Sequence, residues 1–306
     1  MFTLRPISHN HNPRNRKMHQ LENNFLKVIA REHGAELTSF IDKKNNIEHL
    51  WQADPHFWGW HAPVLFPVVG RSLNDEIEIE RQTFRMAKHG FARNANFRLM
   101  DLTETSIVFS LKNNEQWQKI YPYKFEFLIR YKLEESALIV SYEVINKDNK
   151  DIYFQLGGHP AFSVPFAEDE QYEDYYLEFE HSEKTARHYI NKDGFFDGRK
   201  DVALANSNTI QLKHGLFKDD ALIFKNLKSH KVTIKSKQHE RYLSVDFHEF
   251  KYLGLWARIG APFVCIEPWL GCADTFDKPT EFKDKEGVIK LETGGTFHAS
   301  FRIEVG

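Results

Sequence analysis

The chain has 306 residues, of which 41% are hydrophobic and 27% charged, as in an ordinary soluble globular protein. Lysine and arginine (41) nearly balance aspartate and glutamate (43), and the net charge of −2 offers no electrostatic footprint for nucleic acid or an anionic membrane. With only two cysteines, Cys265 and Cys272, the chain is not a disulfide scaffold, and whether these two pair cannot be deduced from sequence.

Residues 1–18 form a polar, basic segment without hydrophobic periodicity and are predicted to be a non-essential extension. His9 and His11 are metal-ligand residue types, but their spacing fits no ligand set. No apolar stretch here resembles a signal peptide, and the longest apolar run, 62–70, is too short and too rich in proline to span a membrane. We therefore expect a cytoplasmic protein.

Alternation of apolar and polar residues dominates from Leu21 onward and predicts β-strands. In the clearest case, 123–134, every second side chain is apolar and those between are mostly charged. A turn at Glu135-Ser136 leads into a second alternating run, 138–144, which predicts a hairpin. Further strands are predicted at 107–111, 152–156, 232–235, 243–247, 263–266 and 297–305.

The fold class follows from this pattern. No segment has a long apolar repeat of period 3.6, so helices should be few and short. No linker divides residues 19–306, and no repeat of fixed period indicates a propeller. We predict an all-β protein in which 19–306 form one domain, a large antiparallel β-sandwich.

Two segments restricted by proline carry the candidate acid and base. Glu267 ends an apolar run and precedes Pro268, which forces residue 267 into extended geometry. His159 follows two glycines and precedes Pro160. A rigid carboxyl group and a rigid imidazole form a candidate acid/base pair if the fold brings them together.

Other side chains are candidates for binding a polyhydroxylated ligand. Arg71 ends the apolar run 63–71, where a guanidinium either caps the strand or points at ligand oxygens. His89 lies in the polar turn His89-Gly90-Phe91-Ala92-Arg93-Asn94. Trp269 offers a flat surface beside Glu267 on which a sugar could stack. Trp51, Trp58 and Trp60 are also possible stacking surfaces, but packing in the core explains them at least as well.

Several chemistries lack their motifs. The chain has no glycine-rich phosphate loop, no dinucleotide fingerprint and no Cys/His zinc spacing. It also has no G-x-S-x-G nucleophile elbow. We therefore expect neither a cofactor nor a metal.

Taken in order, four of these segments resemble the landmarks of the aldose 1-epimerase (galactose mutarotase) superfamily. They are Arg71, His89-Gly90-Phe91, Gly158-His159-Pro160-Ala161-Phe162 and Glu267-Pro268-Trp269. The segments Pro63-Val64-Leu65-Phe66-Pro67 and His89-Gly90-Phe91-Ala92-Arg93 are most similar to its LacX-type, mutarotase-related branch. The resemblance covers roughly Leu21 to Phe301 and implies a β-supersandwich, in agreement with the predicted strands.

The resemblance also implies an isomerase reaction. It makes His159 the general acid and Glu267 the general base for interconverting the α and β anomers of a hexose. Glu267 would accept a proton from O1 while protonated His159 donates one to ring O5, without metal or cofactor. This role predicts that a nearby carboxylate raises the pKa of His159.

The remaining roles concern the sugar, the expected small-molecule partner. The resemblance implies that Arg71 and His89 orient the substrate and that Asp220, or its neighbour Asp219, binds sugar hydroxyls. Arg93 would contact the phosphate of a hexose 6-phosphate. The sugar and the oligomeric state stay open.

Two other classes of function also stay open. One is a non-catalytic carbohydrate-binding protein on the same fold, which would not need an acid paired with a base. The other is a polysaccharide-processing enzyme, which needs two catalytic carboxylates, whereas only one is well framed here.

Deleting residues 1–17 should leave the melting temperature and activity nearly unchanged, because this composition cannot bury much apolar area. Thermal unfolding of full-length and shortened chains tests this. A loss of many degrees would show that the segment packs on the domain.

Overall fold

The computed structural model describes residues 17–276 and 281–306, and its regular structure is almost entirely β-strand. The first eleven strands are β1 (Met18–Glu22), β2 (Leu26–Arg31), β3 (Leu37–Asp42), β4 (Ile47–Glu48), β5 (Val64–Leu65), β6 (Glu76–Ile79), β7 (Gln82–Arg85), β8 (Arg98–Leu102), β9 (Ser106–Lys112), β10 (Phe125–Glu134) and β11 (Ala137–Asn146). The others are β12 (Ile152–Phe154), β13 (Leu156–Gly158), β14 (Ala161–Ser163), β15 (Tyr175–Ile190), β16 (Phe196–Gln211), β17 (Leu222–Phe224), β18 (Lys231–Ser236), β19 (Tyr242–Asp246), β20 (Tyr252–Trp256), β21 (Phe263–Leu270), β22 (Ile289–Leu291) and β23 (Thr296–Val305).

Helical structure in the described residues is limited to a few short turns. One is α-helical, Glu115–Gln118. The 3₁₀ turns are Leu73–Asp75, Ala92–Asn94, Tyr172–Asp174 and Phe282–Asp284. No helix in the described ranges has the length and hydropathy needed to cross a membrane. The predicted all-β class with few short helices is confirmed.

A fifteen-stranded antiparallel sheet dominates the fold, with the order β5-β13-β21-β20-β17-β15-β18-β19-β23-β11-β10-β9-β8. In addition, β14 pairs with β21 and β16 with β15. Strands β1, β2, β3 and β4 form a second sheet. Two small sheets have two strands each: β6 pairs with β7, and β12 pairs with β22. One buried cluster joins Val28 and Phe40 of the second sheet to Phe127 and Phe301 of the large sheet. Each such side chain stabilises the fold by about 1.5–3 kcal/mol when fully buried.

The predicted central hairpin is present as β10 and β11, paired from Phe125↔Asn146 to Glu134↔Ala137. Its apolar residues are buried, as the alternation indicates. Glu126, on the predicted polar face, is also buried, and it accepts a hydrogen bond from the Ser110 hydroxyl. This neighbouring polar group on β9 explains why the carboxyl group is tolerated there.

One predicted strand, 152–156, is wrong as a single element. The strand is interrupted at Gln155, and the two parts, β12 and β13, lie in different sheets. The buried Gln155 side chain accepts from Val69 N and donates to the carbonyls of Cys272 and Glu286. These contacts join segments far apart in sequence, so no local pattern shows them.

The longest hairpin, β15–β16, is absent from the sequence prediction. Its 16-residue strands carry many exposed residues and several register shifts, so the alternation of a half-buried strand is blurred. Residues 191–195 connect the two strands, and Gly194 lies at the large cavity described below.

The start of the described fold overlaps the predicted extension 1–18, of which 1–16 lie outside the described residues. Met18 opens β1 and pairs with Arg31, and the Lys17 carbonyl accepts a hydrogen bond from Glu32 N. The second sheet, β1–β4, therefore begins at the end of that segment.

Candidate active site

Strand register brings the predicted acid/base pair together. Both β13 and β14 pair with β21, through Gly157↔Trp269 and Ala161↔Cys265. Counting inward from these two pairs places His159 opposite Glu267. Directly opposed residues of antiparallel strands project to the same side of the sheet, so the two side chains meet.

The pair is close and buried. Nε2 of His159 lies 3.1 Å from Oε2 of Glu267, and their side chains are 10% and 2% exposed. The contact lacks hydrogen-bond geometry, and neither Glu267 Oε2 nor His159 Nδ1 has a hydrogen-bond partner among the described residues. The His159 backbone is held by its N–H donating to the Pro63 carbonyl. An unpaired buried carboxyl oxygen costs stability, so this arrangement points to a ligand-binding role.

Burial pushes both groups toward their uncharged forms. It lowers the pKa of His159 to about 3, with the positive charges of Lys88 and Arg93 adding to the effect. It raises the pKa of Glu267 well above its usual value; Asp220 acts in the same direction and Lys88 opposes it. The predicted rise in the His159 pKa is therefore wrong, because loss of hydration outweighs any attraction to a neighbouring carboxyl group that itself tends to keep its proton.

His89 is held in one tautomer by the backbone. The ring Nδ1 accepts a hydrogen bond from Gly70 N, and the backbone N–H of His89 donates to the Gly70 carbonyl. Burial, Lys88 and Arg93 lower its pKa, so the ring is a neutral imidazole that carries its proton on Nε2. The rings of His89 and His159 pack edge to face, with their centroids 5.8 Å apart. Such a ring is a hydrogen-bond donor beside the acid/base pair.

Trp269 lies flat on the sheet beside Glu267. A β-carbon on Gly157 would come within 2.8 Å of its ring, and one on Gly254 within 2.7 Å. Glycines on the two adjacent strands, β13 and β20, thus create the space for the indole. Its N–H lies near enough to favour the ionised form of Glu267. The ring lines the cavity but is only 6% exposed, so it offers an edge to a ligand.

A cavity of about 980 Å³ opens above the pair. His89, Arg93, Asp219 and Asp220 all line it, so both predicted aspartates reach the site. Arg93 donates to the Lys88 carbonyl, and its guanidinium lies over Trp60.

Arg71 does not line this cavity. Its guanidinium donates to both carboxyl oxygens of Asp75 and to the Asp193 carbonyl. It borders an adjoining cleft that shares Lys88, Lys192, Gly194 and Asp220 with the cavity. Arg71 therefore holds the end of the β15–β16 hairpin and does not meet the acid/base pair.

Sequence reasoning left Trp58 open between a stacking surface and a core residue, and it missed Trp256 and Lys88. Trp58 stacks on the His159 ring at 4.8 Å with a 26° interplanar angle, and Trp256 contacts the same ring edge to face. Lys88 lines the cavity and acts electrostatically on both His159 and Glu267. Its place directly before His89 was an available signal. Trp51, by contrast, is a core residue packed on Phe263.

Comparison with known proteins identifies the family. The Aldose 1-epimerase family model matches residues 17–290. The chain belongs to the aldose 1-epimerase family.

Its relatives include the plasmid-encoded protein LacX of Lactococcus lactis subsp. lactis, 35% identical over 298 residues, which span 94% of this chain and 98% of LacX. A galactose mutarotase-related enzyme from Lactobacillus acidophilus is 38% identical, with a TM-score of 0.90 over 95% of this chain and 97% of its own. A galactose mutarotase-like protein from Lactobacillus casei is 33% identical, with a TM-score of 0.89 over 95% of this chain and all of its own. The resemblance read from the sequence is confirmed.

Glu267→Gln should stabilise the protein, increasingly so as pH rises. Because the folded pKa of Glu267 is raised, the unfolded chain ionises this group above about pH 4.5 while the folded chain keeps its proton, so stability falls with rising pH. An amide does not titrate and removes this loss. Melting temperatures of parent and variant from pH 4.5 to 8 measure the difference.

Glu183→Gln is the matched control, since that carboxyl group is equally buried but accepts bonds from Lys228 N, Ser229 N and the Ser229 hydroxyl. It should lower the melting temperature. A constant difference between Glu267→Gln and parent across the pH range would contradict the raised pKa.

Proposed function

We propose that this protein is an aldose 1-epimerase, an isomerase that interconverts the α and β anomers of a hexose or hexose derivative. The observation that carries the proposal is the buried contact between His159 and Glu267 at the base of a cavity large enough for a sugar. A sugar-binding protein without turnover needs no acid set against a base. One well-placed carboxyl group also does not match the two that a glycoside hydrolase uses.

The proton count of the reaction suits this pair. Ring opening takes one proton from O1 and gives one to O5, so the number of protons on the enzyme is unchanged. The uncharged pair, with the proton on Glu267, and the imidazolium–carboxylate pair hold the same number of protons. Once the two side chains turn into hydrogen-bond alignment, proton transfer between Oε2 of Glu267 and Nε2 of His159, now 3.1 Å apart, converts one form into the other.

We assign Glu267 as the base toward O1 and His159 as the acid toward O5. Lys88 favours the carboxylate form of Glu267 that this step requires. After rotation about C1–C2, closure reverses both transfers. Each positioned proton transfer contributes about 10²–10⁴-fold to the rate.

The surrounding groups bind and orient the sugar in this proposal. The neutral His89 ring donates from Nε2 to an oxygen where negative charge develops on ring opening. Asp220, whose Oδ1 accepts from Ala221 N, uses its remaining acceptor capacity for sugar hydroxyls. Trp58 keeps the His159 ring in place by stacking. Arg71 stabilises the cavity wall through Asp193.

Glu267→Gln should lower kcat by 10² or more with little change in sugar affinity, because the amide keeps the shape but cannot accept the proton. His159→Asn should do the same by removing the donor to O5. The double variant should lose much less than the product of the single losses, because both groups serve one event. NMR exchange spectroscopy of anomers measures each rate.

Glu183→Gln should keep the parental rate in that assay. A bell-shaped pH profile in the parent should report the pair and not either residue alone. Anomer exchange by Glu267→Gln at the parental rate would sink this mechanism and favour a sugar-binding protein.

The charge of the cavity favours a hexose 6-phosphate as a second candidate substrate. Six cationic side chains line it, namely Lys88, Arg93, Lys192, Arg199, Lys218 and Arg258. Three acidic ones do, namely Asp219, Asp220 and Glu267. Of these cations, Arg199 pairs with Asp197, whereas Lys88, Lys192 and Arg258 form no ion pair with a described residue.

If the substrate is phosphorylated, Arg93→Ala should weaken its binding by about 1.5–3 kcal/mol, which is roughly tenfold to a hundredfold in KM. The free hexose should be little affected. KM values for free and 6-phosphorylated hexoses, in parent and variant, test this. Equal losses for both sugars would make Arg93 a structural residue, held by Trp60 and the Lys88 carbonyl.

A further inference from the structure

A third side chain of metal-ligand type lies beside the acid/base pair. Cys265 precedes Glu267 by two residues on β21, so both project from the same face. Its Sγ, a ring nitrogen of His159 and a carboxyl oxygen of Glu267 all lie within 4.8 Å of one another. All three residues are buried, and Cys265 is not in a disulfide.

We propose that Cys265, His159 and Glu267 form a binding site for a divalent transition metal of the zinc type, and that an ion bound there inhibits the enzyme. The ion and the sugar would need the same two groups. Metal binding itself depends only on the side-chain arrangement, whereas the inhibition rests on the proposed function.

The distances suit tetrahedral coordination. Zinc bonds of about 2.0–2.3 Å to N, O and S place neighbouring ligand atoms roughly 3.3–3.6 Å apart. The His159–Glu267 contact of 3.1 Å is already near that spacing. The sulfur lies within 4.8 Å of the other two ligand atoms and must move closer to complete the set. The cavity leaves the fourth position to water, as in zinc sites with three protein ligands.

The atoms involved are free to bind. Oε2 of Glu267 has no hydrogen-bond partner among the described residues, although the residue is 1% exposed. The described hydrogen bonds also include none to the Cys265 sulfur. A buried carboxyl oxygen without a partner gains more from a cation than an exposed one does, because the attraction is stronger in the low-dielectric interior.

The charge balance favours a divalent ion. Binding releases two protons to solvent, one from the Cys265 thiol and one from the His159–Glu267 pair. The thiolate and the carboxylate then cancel the two positive charges of the ion, and neutral imidazole is the third ligand. The occupied site is electroneutral, so burying it costs far less than burying a net charge.

The surroundings of the imidazole indicate a reversible site and not a structural one. In established zinc sites the second ring nitrogen of a histidine ligand usually donates to a carboxylate or carbonyl. His159 Nδ1 has no partner among the described residues. We therefore expect weaker binding than in a structural zinc site, which allows a sugar to compete.

Co²⁺ and Zn²⁺ titrations of the full-length protein, without sugar, test the site. We expect one Co²⁺ per chain, a thiolate-to-Co²⁺ charge-transfer band in the near ultraviolet, and displacement by Zn²⁺. Cys265→Ala and Cys265→Ser should each abolish the band and weaken Zn²⁺ binding at least tenfold in competition with a chromophoric chelator. Cys272→Ala is the matched control: this second buried, free cysteine does not belong to the cluster of His159, Cys265 and Glu267, so the variant should behave as the parent.

A His9→Ala/His11→Ala variant in the full-length chain removes histidines outside the described residues that could bind metal by themselves. It should keep the charge-transfer band. In anomer-exchange assays, Zn²⁺ should inhibit the parent competitively with sugar and inhibit Cys265→Ala at least tenfold less well.

Absence of binding to the parent, or a band that survives Cys265→Ala, would overturn the metal site. Metal binding without activity in any anomer-exchange assay would instead refute the proposed function and leave the metal site standing. Binding with activity unaffected by Zn²⁺ would refute the inhibition.

Discussion

The register between β21 and the two short strands β13 and β14 is the constraint on which the site depends. Both strands hold the same alignment with β21, so His159, between them, must face Glu267. A slip of one residue would turn every side chain of β21 to the opposite face of the sheet. On the other side of β21, its pairing with β20 places Gly254 opposite Glu267, where the indole of Trp269 needs the space.

Burial gives this contact its chemical character. A solvated carboxyl group and a solvated imidazole titrate with ordinary pKa values. Here the loss of hydration raises the pKa of Glu267 and lowers that of His159, which favours the uncharged form of each. A buried carboxyl oxygen without a hydrogen-bond partner shows that the fold tolerates a destabilising arrangement at this point. Such local conflicts are expected where function competes with stability. The cavity above the pair is where a ligand can supply the missing partners.

Local chemistry made much of the fold predictable. Alternation over 123–144 and 297–305 determined both the strands and their buried faces, because one face of each strand must leave water. Local patterns do not predict structure that depends on contacts between segments far apart in sequence. The strand at 152–156 is split by Gln155, which bonds to Val69 and to the backbone of residues 272 and 286, and the exposed half of β15–β16 has no buried face to produce a pattern.

The site divides in the same way. From the amino-acid sequence alone, a following proline restricts the backbone at residues 159 and 267, and the order of the motifs indicates the family. The three-dimensional fold was needed to show that the two side chains touch and that Arg71 holds a hairpin and not the pair. It also showed that Trp58, Lys88 and Cys265 lie beside the pair. It also reversed the expected direction of the His159 pKa. Distance, burial and electric field are set by strands far apart in sequence, and no pattern of neighbouring residues encodes them.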